Sequence, residues 1–310
     1  MKRFITSLFI ILSASCYTFA QITYMSNRTP QRPAKIIDAS VMQAVYKASS
    51  IRDSLATDRV AIDTMILQIG NNRISKYFPD TRVRDSIMRA TLERQMAAAQ
   101  TSGGGVTIRA VGTIGSGGQV SSGDQTIVFK NWPAGNITVT DRVVMDSYSY
   151  TESSNEMLWQ ILPDTETILS YSCQKAVTTF RGRDYEAWFT PDIPINEGPW
   201  KFCGLPGLIL KVSDTRQHYV FECIGLEQRE ASIEYADMDY LKTNRRDLAK
   251  VKRKYFEDPM AAMENMMGAV PGGSANVRIV ARTADGTPID MNTIRANMSN
   301  RAYNPIELDY

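Results

Sequence analysis

The chain has 310 residues, 43% of them hydrophobic and 22% charged. That is enough apolar material for one large core and too little charge for a disordered polymer. With 35 basic residues against 33 acidic ones and a net charge of +2, it lacks the basic excess of a nucleic-acid binder, and no nucleic-acid partner is expected.

The chain opens with Lys2 and Arg3, a run reading FITSLFIILSASCYTFA, and then Gln21. A basic start, a short apolar stretch and small residues before a polar one predict a secretory signal peptide over residues 1–20, cleaved after Ala20. The run is short for a bilayer span, so no transmembrane segment is expected in the mature chain. Cys16, after Ser-Ala-Ser, is the competing site, at which a bacterial lipoprotein would be cut and acylated. Either way the product is exported, to the periplasm or the outer membrane. Losing Lys2 and Arg3 leaves 33 basic against 33 acidic residues.

Beyond the signal, Val41, Ala44, Val45 and Ala48 fall on one stripe and predict a helix over 41–58. The run Ala61–Gly70 reads as a strand ended by glycine, and Asp80 as the cap of a helix over 82–99. Residues 101–124 turn to Gly and Ser and read as a surface insertion. From 125 to 228, β-branched and alternating segments recur at the spacing of an antiparallel meander: 126–130, 136–150, 157–162, 165–180, 184–189, 207–212 and 219–225. Pairing Val212 with Tyr219 would set Leu208, Leu210, Phe221 and Cys223 on one core face. A helix capped by Thr243 follows over 244–257, stopped by Asp258-Pro259, and then a Met-rich segment. The pattern is α+β: a mainly antiparallel β core with accessory N- and C-terminal helices, in a single domain over 21–310.

The chemistry is sparse. The lone histidine, His218, lies in a hairpin loop and reads as an exposed turn residue. Ser172 and Lys175 match SxxK, but on a strand, where residues three apart point to opposite sides. No metal-ligand spacing and no cofactor motif stands out, so neither is expected. After export, Cys173, Cys203 and Cys223 remain, an odd number without CxxC spacing, read as buried thiols. The densest functional stretch is RGRDYEAWFTPDIPINEGPW, 181–200. Its Arg181, Arg183, Trp188, Asp192 and Trp200 form the candidate binding rim, since arginine and aromatic side chains on a loop held by a sheet suit recognition. Directly after it, Leu205-Pro206-Gly207-Leu208 has the order a type II turn favours, with Gly207 at φ above zero.

The six residues Gly204, Leu205, Pro206, Gly207, Leu208 and Ile209 resemble the defining motif of the GLPGLI family of exported bacterial envelope proteins. Trp159, ILSYSCQKA, YEAWFTPDIPINEGPWKF and the closing NPIEL add to the likeness. The resemblance implies export and a mainly antiparallel β core, curved into an open half-barrel like that of lipoprotein carriers. It implies no catalytic residue. The expected function is a non-catalytic binding or assembly module that uses its β core and the 181–200 loop on an envelope protein, peptide or lipid. The alternative is a hydrolase built on a carboxylate or a cysteine.

Overall fold

A computed structural model describes residues 32–82, 86, 125–144, 146–154, 157–259, 281–282, 288–289 and 301–309. The signal peptide, the 101–124 insertion, the Met-rich segment and nearly all of the helix expected over 82–99 lie outside them. Alternation of β-branched and aromatic residues builds most of the rest. The strands in chain order are β1 (Lys35–Ser50), β2 (Ala61–Gly70), β3 (Ser75–Pro79), β4 (Ile127–Lys130), β5 (Asn136–Val143), β6 (Asp146–Ser153), β7 (Gln160–Ile168), β8 (Tyr171–Phe180), β9 (Arg183–Thr190), β10 (Leu208–Asp214), β11 (Tyr219–Tyr235) and β12 (Leu241–Lys242). They make one open sheet in the order β12-β6-β5-β4-β3-β2-β1-β11-β10-β9-β8-β7. All neighbours are antiparallel except β12 and β6, so the sheet is mixed by one short pair. A separate hairpin pairs β13 (Ala281–Arg282) with β14 (Pro288–Ile289).

The helix expected over 41–58 is instead β1. Burial follows a two-residue period there, with Ala44 and Tyr46 fully inside and Val41 out. The stripe of Val41, Ala44, Val45 and Ala48 takes residues from both faces of the strand, Ala44 and Ala48 from the face of Tyr46, and Val41 and Val45 from the other, so helical spacing here is a coincidence of two strand faces. Among the described residues one helix forms in full, α1 (Arg245–Glu257), and its cap is Asn244 rather than Thr243. The Asn244 Oδ1 accepts from the Asp247 N–H at 2.9 Å. Leu248 is its buried anchor.

The β10–β11 hairpin pairs Val212 with Phe221, two residues away from the expected register. A shift of two keeps side-chain parity, so Leu208, Leu210, Phe221 and Cys223 are all buried as expected. The turn is set by Asp214, whose carboxylate accepts the Tyr219 N–H at 2.7 Å.

The sheet curls strongly. Eight strand steps separate β9 from β6, about 38 Å on a flat sheet at ~4.8 Å per step. Yet Arg181, in the β8–β9 turn, donates to Glu152 on β6 at 2.9 Å. The two halves therefore face each other. The core lies between them, and the segment joining β9 to β10 fills it.

Candidate functional site

Residues 191–207 run from the end of β9 back to the start of β10, and their stretch 198–202, with Ile193 and Leu205, is buried inside the curl. Their backbone has little ladder to pair with, so side chains and turns satisfy it. Ile193 O and Glu197 O accept from Leu208 N and Ile209 N, each at 3.0 Å. Lys130, at the inner end of β4, donates to Gly198 O at 2.6 Å and Phe202 O at 3.1 Å and pairs with Glu197 at 2.5 Å. Trp159 Nε1 donates to Cys203 O at 2.8 Å, and Asn196 Oδ1 accepts from Gly204 N. Phe202 is fully buried and centres an aromatic cluster, 4.8 Å from Tyr185, 5.3 Å from Trp200 and 6.0 Å from Phe221.

The glycine motif works differently from a type II turn at Gly207. Gly204 carries the positive φ, 103°, whereas Gly207 is not in the left-handed region. Gly207 is glycine because β10 passes too close to the backbone of β9. An added β-carbon would overlap the Thr190 carbonyl, 2.6 Å from its carbon and 3.0 Å from Pro191 N.

Beside the loop lies a charge cluster. Lys201 Nζ, 1% exposed, is 2.5 Å from Glu152 Oε1 and 2.6 Å from Glu307 Oε1, with Tyr150 OH at 3.1 Å. Arg181 and Arg245 close it from outside, Arg181 on Glu152 at 2.9 Å and Arg245 on Asp309 at 2.5 Å and Glu307 at 3.4 Å. Three cations meet three carboxylates, so burial leaves no net charge. Desolvation alone would push the Lys201 ammonium down. Tyr150 and the two glutamates outweigh it and hold the ammonium well above its ordinary value. Burial pushes the Tyr150 phenol up to about 12.

A second clamp uses Arg183, 5% exposed. It donates to Asp214 at 2.9 Å, Asn304 Oδ1 at 2.7 Å, Pro305 O at 2.5 Å and Ile306 O at 3.0 Å. Because Asn304 Oδ1 accepts from Arg183, its amide nitrogen donates, to Ile51 O at 2.6 Å and to His218 Nδ1 at 3.2 Å. His218 is thus a half-buried acceptor, not the exposed turn residue its loop position suggested.

The five rim residues do not line one cleft. Arg181, Arg183 and Trp200 point inward, Arg181 and Arg183 into the two clamps and Trp200 into the aromatic cluster. Trp188 is half-buried on the opposite face of β9 from Tyr185 and Ala187, with Lys175 Nζ 5.8 Å from its ring, and Asp192 is exposed. Sequence reasoning missed Lys130, Lys201, Glu152, Asp214, Asn304 and Glu307. A usable signal existed: lone charges inside apolar runs, as in IVFK, PWKF, LILKVSD and NPIEL.

Cys173, Cys203 and Cys223 are free thiols. Burial pushes all three up, Cys223 from 9.0 to about 11, opposite to the shift that activates a nucleophile. Each unit of such a shift is worth about 1.4 kcal/mol. The Cys223 contribution is whole below pH 9, where the unfolded thiol keeps its proton, and is lost as pH rises through about 11. Urea midpoints should therefore fall between pH 9 and 11, and Cys223→Ala should flatten that slope. An unchanged slope in the variant would refute the assignment.

The family model described as "Protein of unknown function (Porph_ging)" matches residues 180–211, the β8–β9 turn through the glycine motif and into β10. No match was found among curated proteins. Two solved structures of PNGF-II, in space groups P21 and C2, resemble the chain at 12% identity with TM-scores of 0.42 and 0.41. Each alignment covers 69% of this chain and 33% or 32% of the other, so the chain spans about a third of the length of those proteins.

Proposed function

We propose that the chain is an exported, non-catalytic binding or assembly module of the cell envelope, with its curled sheet serving as an open half-barrel stoppered by residues 191–207. One observation carries the reading. The side chains best suited to chemistry, Arg181, Arg183 and Lys201, are engaged in internal bonds that pin the stopper and the C-terminal segment to the sheet. The Glu152 and Glu307 oxygens that converge on Lys201 also contact Arg181 and Arg245. What the module offers outward is the outer face of the sheet, with the half-buried Trp188, and beside it the exposed Asp192 at the start of the stopper segment, to an envelope protein, a peptide or a lipid.

Intact-mass analysis of the chain recovered from an envelope or periplasmic fraction tests the export half, with a mature N-terminus at Gln21 as the expected result. An acylated Cys16 would replace it with a lipid-anchored module. Mass spectrometry of material that co-purifies with the mature chain tests the binding half. A partner or lipid lost on Trp188→Ala at unchanged stability is the expected outcome. Turnover of an ester, glycoside or peptide panel that disappears in Cys203→Ser or Glu152→Gln would overturn it in favour of a hydrolase.

A further inference from the structure

Residues 301–309 are held the way a peptide ligand is held. They contribute one isolated bridge, Tyr303 to Asp53, and no strand of the large sheet. Their backbone is read instead by groups far upstream. Ala302 N donates to Asp53 Oδ1 at 3.0 Å, Asn304 N to Arg52 O at 3.0 Å and Leu308 N to Arg181 O at 2.8 Å. Tyr219 OH donates to Asn304 O at 2.7 Å, while Arg183 takes the carbonyls of Pro305 and Ile306.

Side chains add selectivity. Asn304, Pro305 and Glu307 are buried, whereas Leu308 and Asp309 are exposed. At Asn304 the groove presents a donor, Arg183, on one side and acceptors, Ile51 O and His218 Nδ1, on the other. An aspartate would leave those acceptors unpaired, which sites of this kind reject strongly. At Glu307 the groove presents Lys201 and Arg245. Next to Leu308, Gly182 leaves room that a β-carbon would take, 2.9 Å from the Leu308 Cβ.

We infer that this groove is a peptide-recognition site for extended Asn-Pro-x-Glu segments, and that the occupant besides the chain's own tail is the tail of a second copy. Residues 258–300 separate α1 from the tail. A long connection lowers the effective concentration of the tail at its own groove, so the tail of a neighbour competes for it as protein concentration rises. Tail exchange then links copies without a new interface. The inference rests on the groove and stands whether or not the chain is exported.

The test places a specific protease site within residues 290–300 of the full chain and cuts it after folding. A labelled synthetic peptide of residues 301–310 should then replace the severed tail, one per chain. A peptide with Asn304→Asp should bind at least ~10-fold more weakly. In parallel, the uncut chain carrying Asn304→Ala and Glu307→Gln, its own tail weakened, should take up the wild-type peptide at lower peptide concentration than the unaltered chain does. The concentrated unaltered chain should form dimers by light scattering that the free peptide returns to monomers. Three results overturn the inference: loss of fold on cutting, which makes the tail part of the core; a folded cut chain that ignores the peptide; or equal affinity for the Asn304→Asp peptide. Peptide binding by a chain that stays monomeric at every concentration removes the second copy as the occupant.

Discussion

Replacing Gly207 with alanine is expected to cost about 3 kcal/mol or more, the largest effect of any single methyl group in the motif. The added carbon would overlap the carbonyl of Thr190, and Thr190 is itself paired with Leu208 in the β9–β10 ladder. A flexible side chain could turn away, but a paired backbone cannot. Overpacking a core costs ~1–3 kcal/mol when neighbours relax, and here the relaxation would pull two central strands apart. Gly204→Ala should cost less, ~1–2 kcal/mol, the scale of a β-carbon forced into a left-handed backbone, because Gly204 has φ 103° and its nearest neighbours are the Trp159 ring at 3.4 Å and Met157 O at 3.7 Å, both ordinary contacts. Pro206→Ala should cost under ~1 kcal/mol, since alanine can adopt a proline backbone. Denaturant midpoints should rank the three in that order. Equal midpoints for Gly207→Ala and Pro206→Ala would refute the close-approach account.

Lys201→Met should cost ~3–5 kcal/mol, the scale of removing one partner from a buried ion pair. Methionine matches the stem of lysine, so the loss is electrostatic rather than a cavity. It leaves Glu152 and Glu307 facing one another at a site where the replaced side chain was 1% exposed. A second change, Glu152→Gln in the same chain, removes one of the two stranded charges and should recover part of the loss. The two substitutions are therefore non-additive, which thermal or urea unfolding of both single variants and the double variant measures directly. A Lys201→Met loss below ~1 kcal/mol, or strict additivity, would mean that Arg181 and Arg245 suffice for the acids.

These two results depend on residues of opposite legibility. The glycine motif stood out in the sequence, and its neighbourhood is the stretch that the family model matches. Its mechanism did not, because the steric demand comes from Thr190, seventeen positions upstream and adjacent only once β9 and β10 pair. Lys201 stands alone among apolar neighbours in PWKF, a signal of burial that does not reveal its partners. Its partners Glu152 and Glu307 are 49 and 106 residues away.

Local alternation and turn chemistry were sufficient to mark most of the strands. Ala61–Gly70 emerges with the bounds the sequence suggested, and the strands within 126–225 pair antiparallel with one another as expected, because period-two burial is a property of adjacent residues. Two boundaries differ, since 136–150 is the β5–β6 hairpin and 165–180 crosses the β7–β8 turn. The same local signal failed at β1, where Val and Ala on opposite faces of the strand happen to recur at helical spacing. Tertiary structure alone decided that the sheet curls until β6 meets the β8–β9 turn, and that Arg181, Arg183 and Trp200 face inward. It alone placed NPIELD in a groove built from residues as distant as Ile51 and Arg245. The physical reason is the same in each case: pairing order and buried charge compensation are set by contacts between distant segments, and a linear pattern records only what neighbouring residues impose on one another.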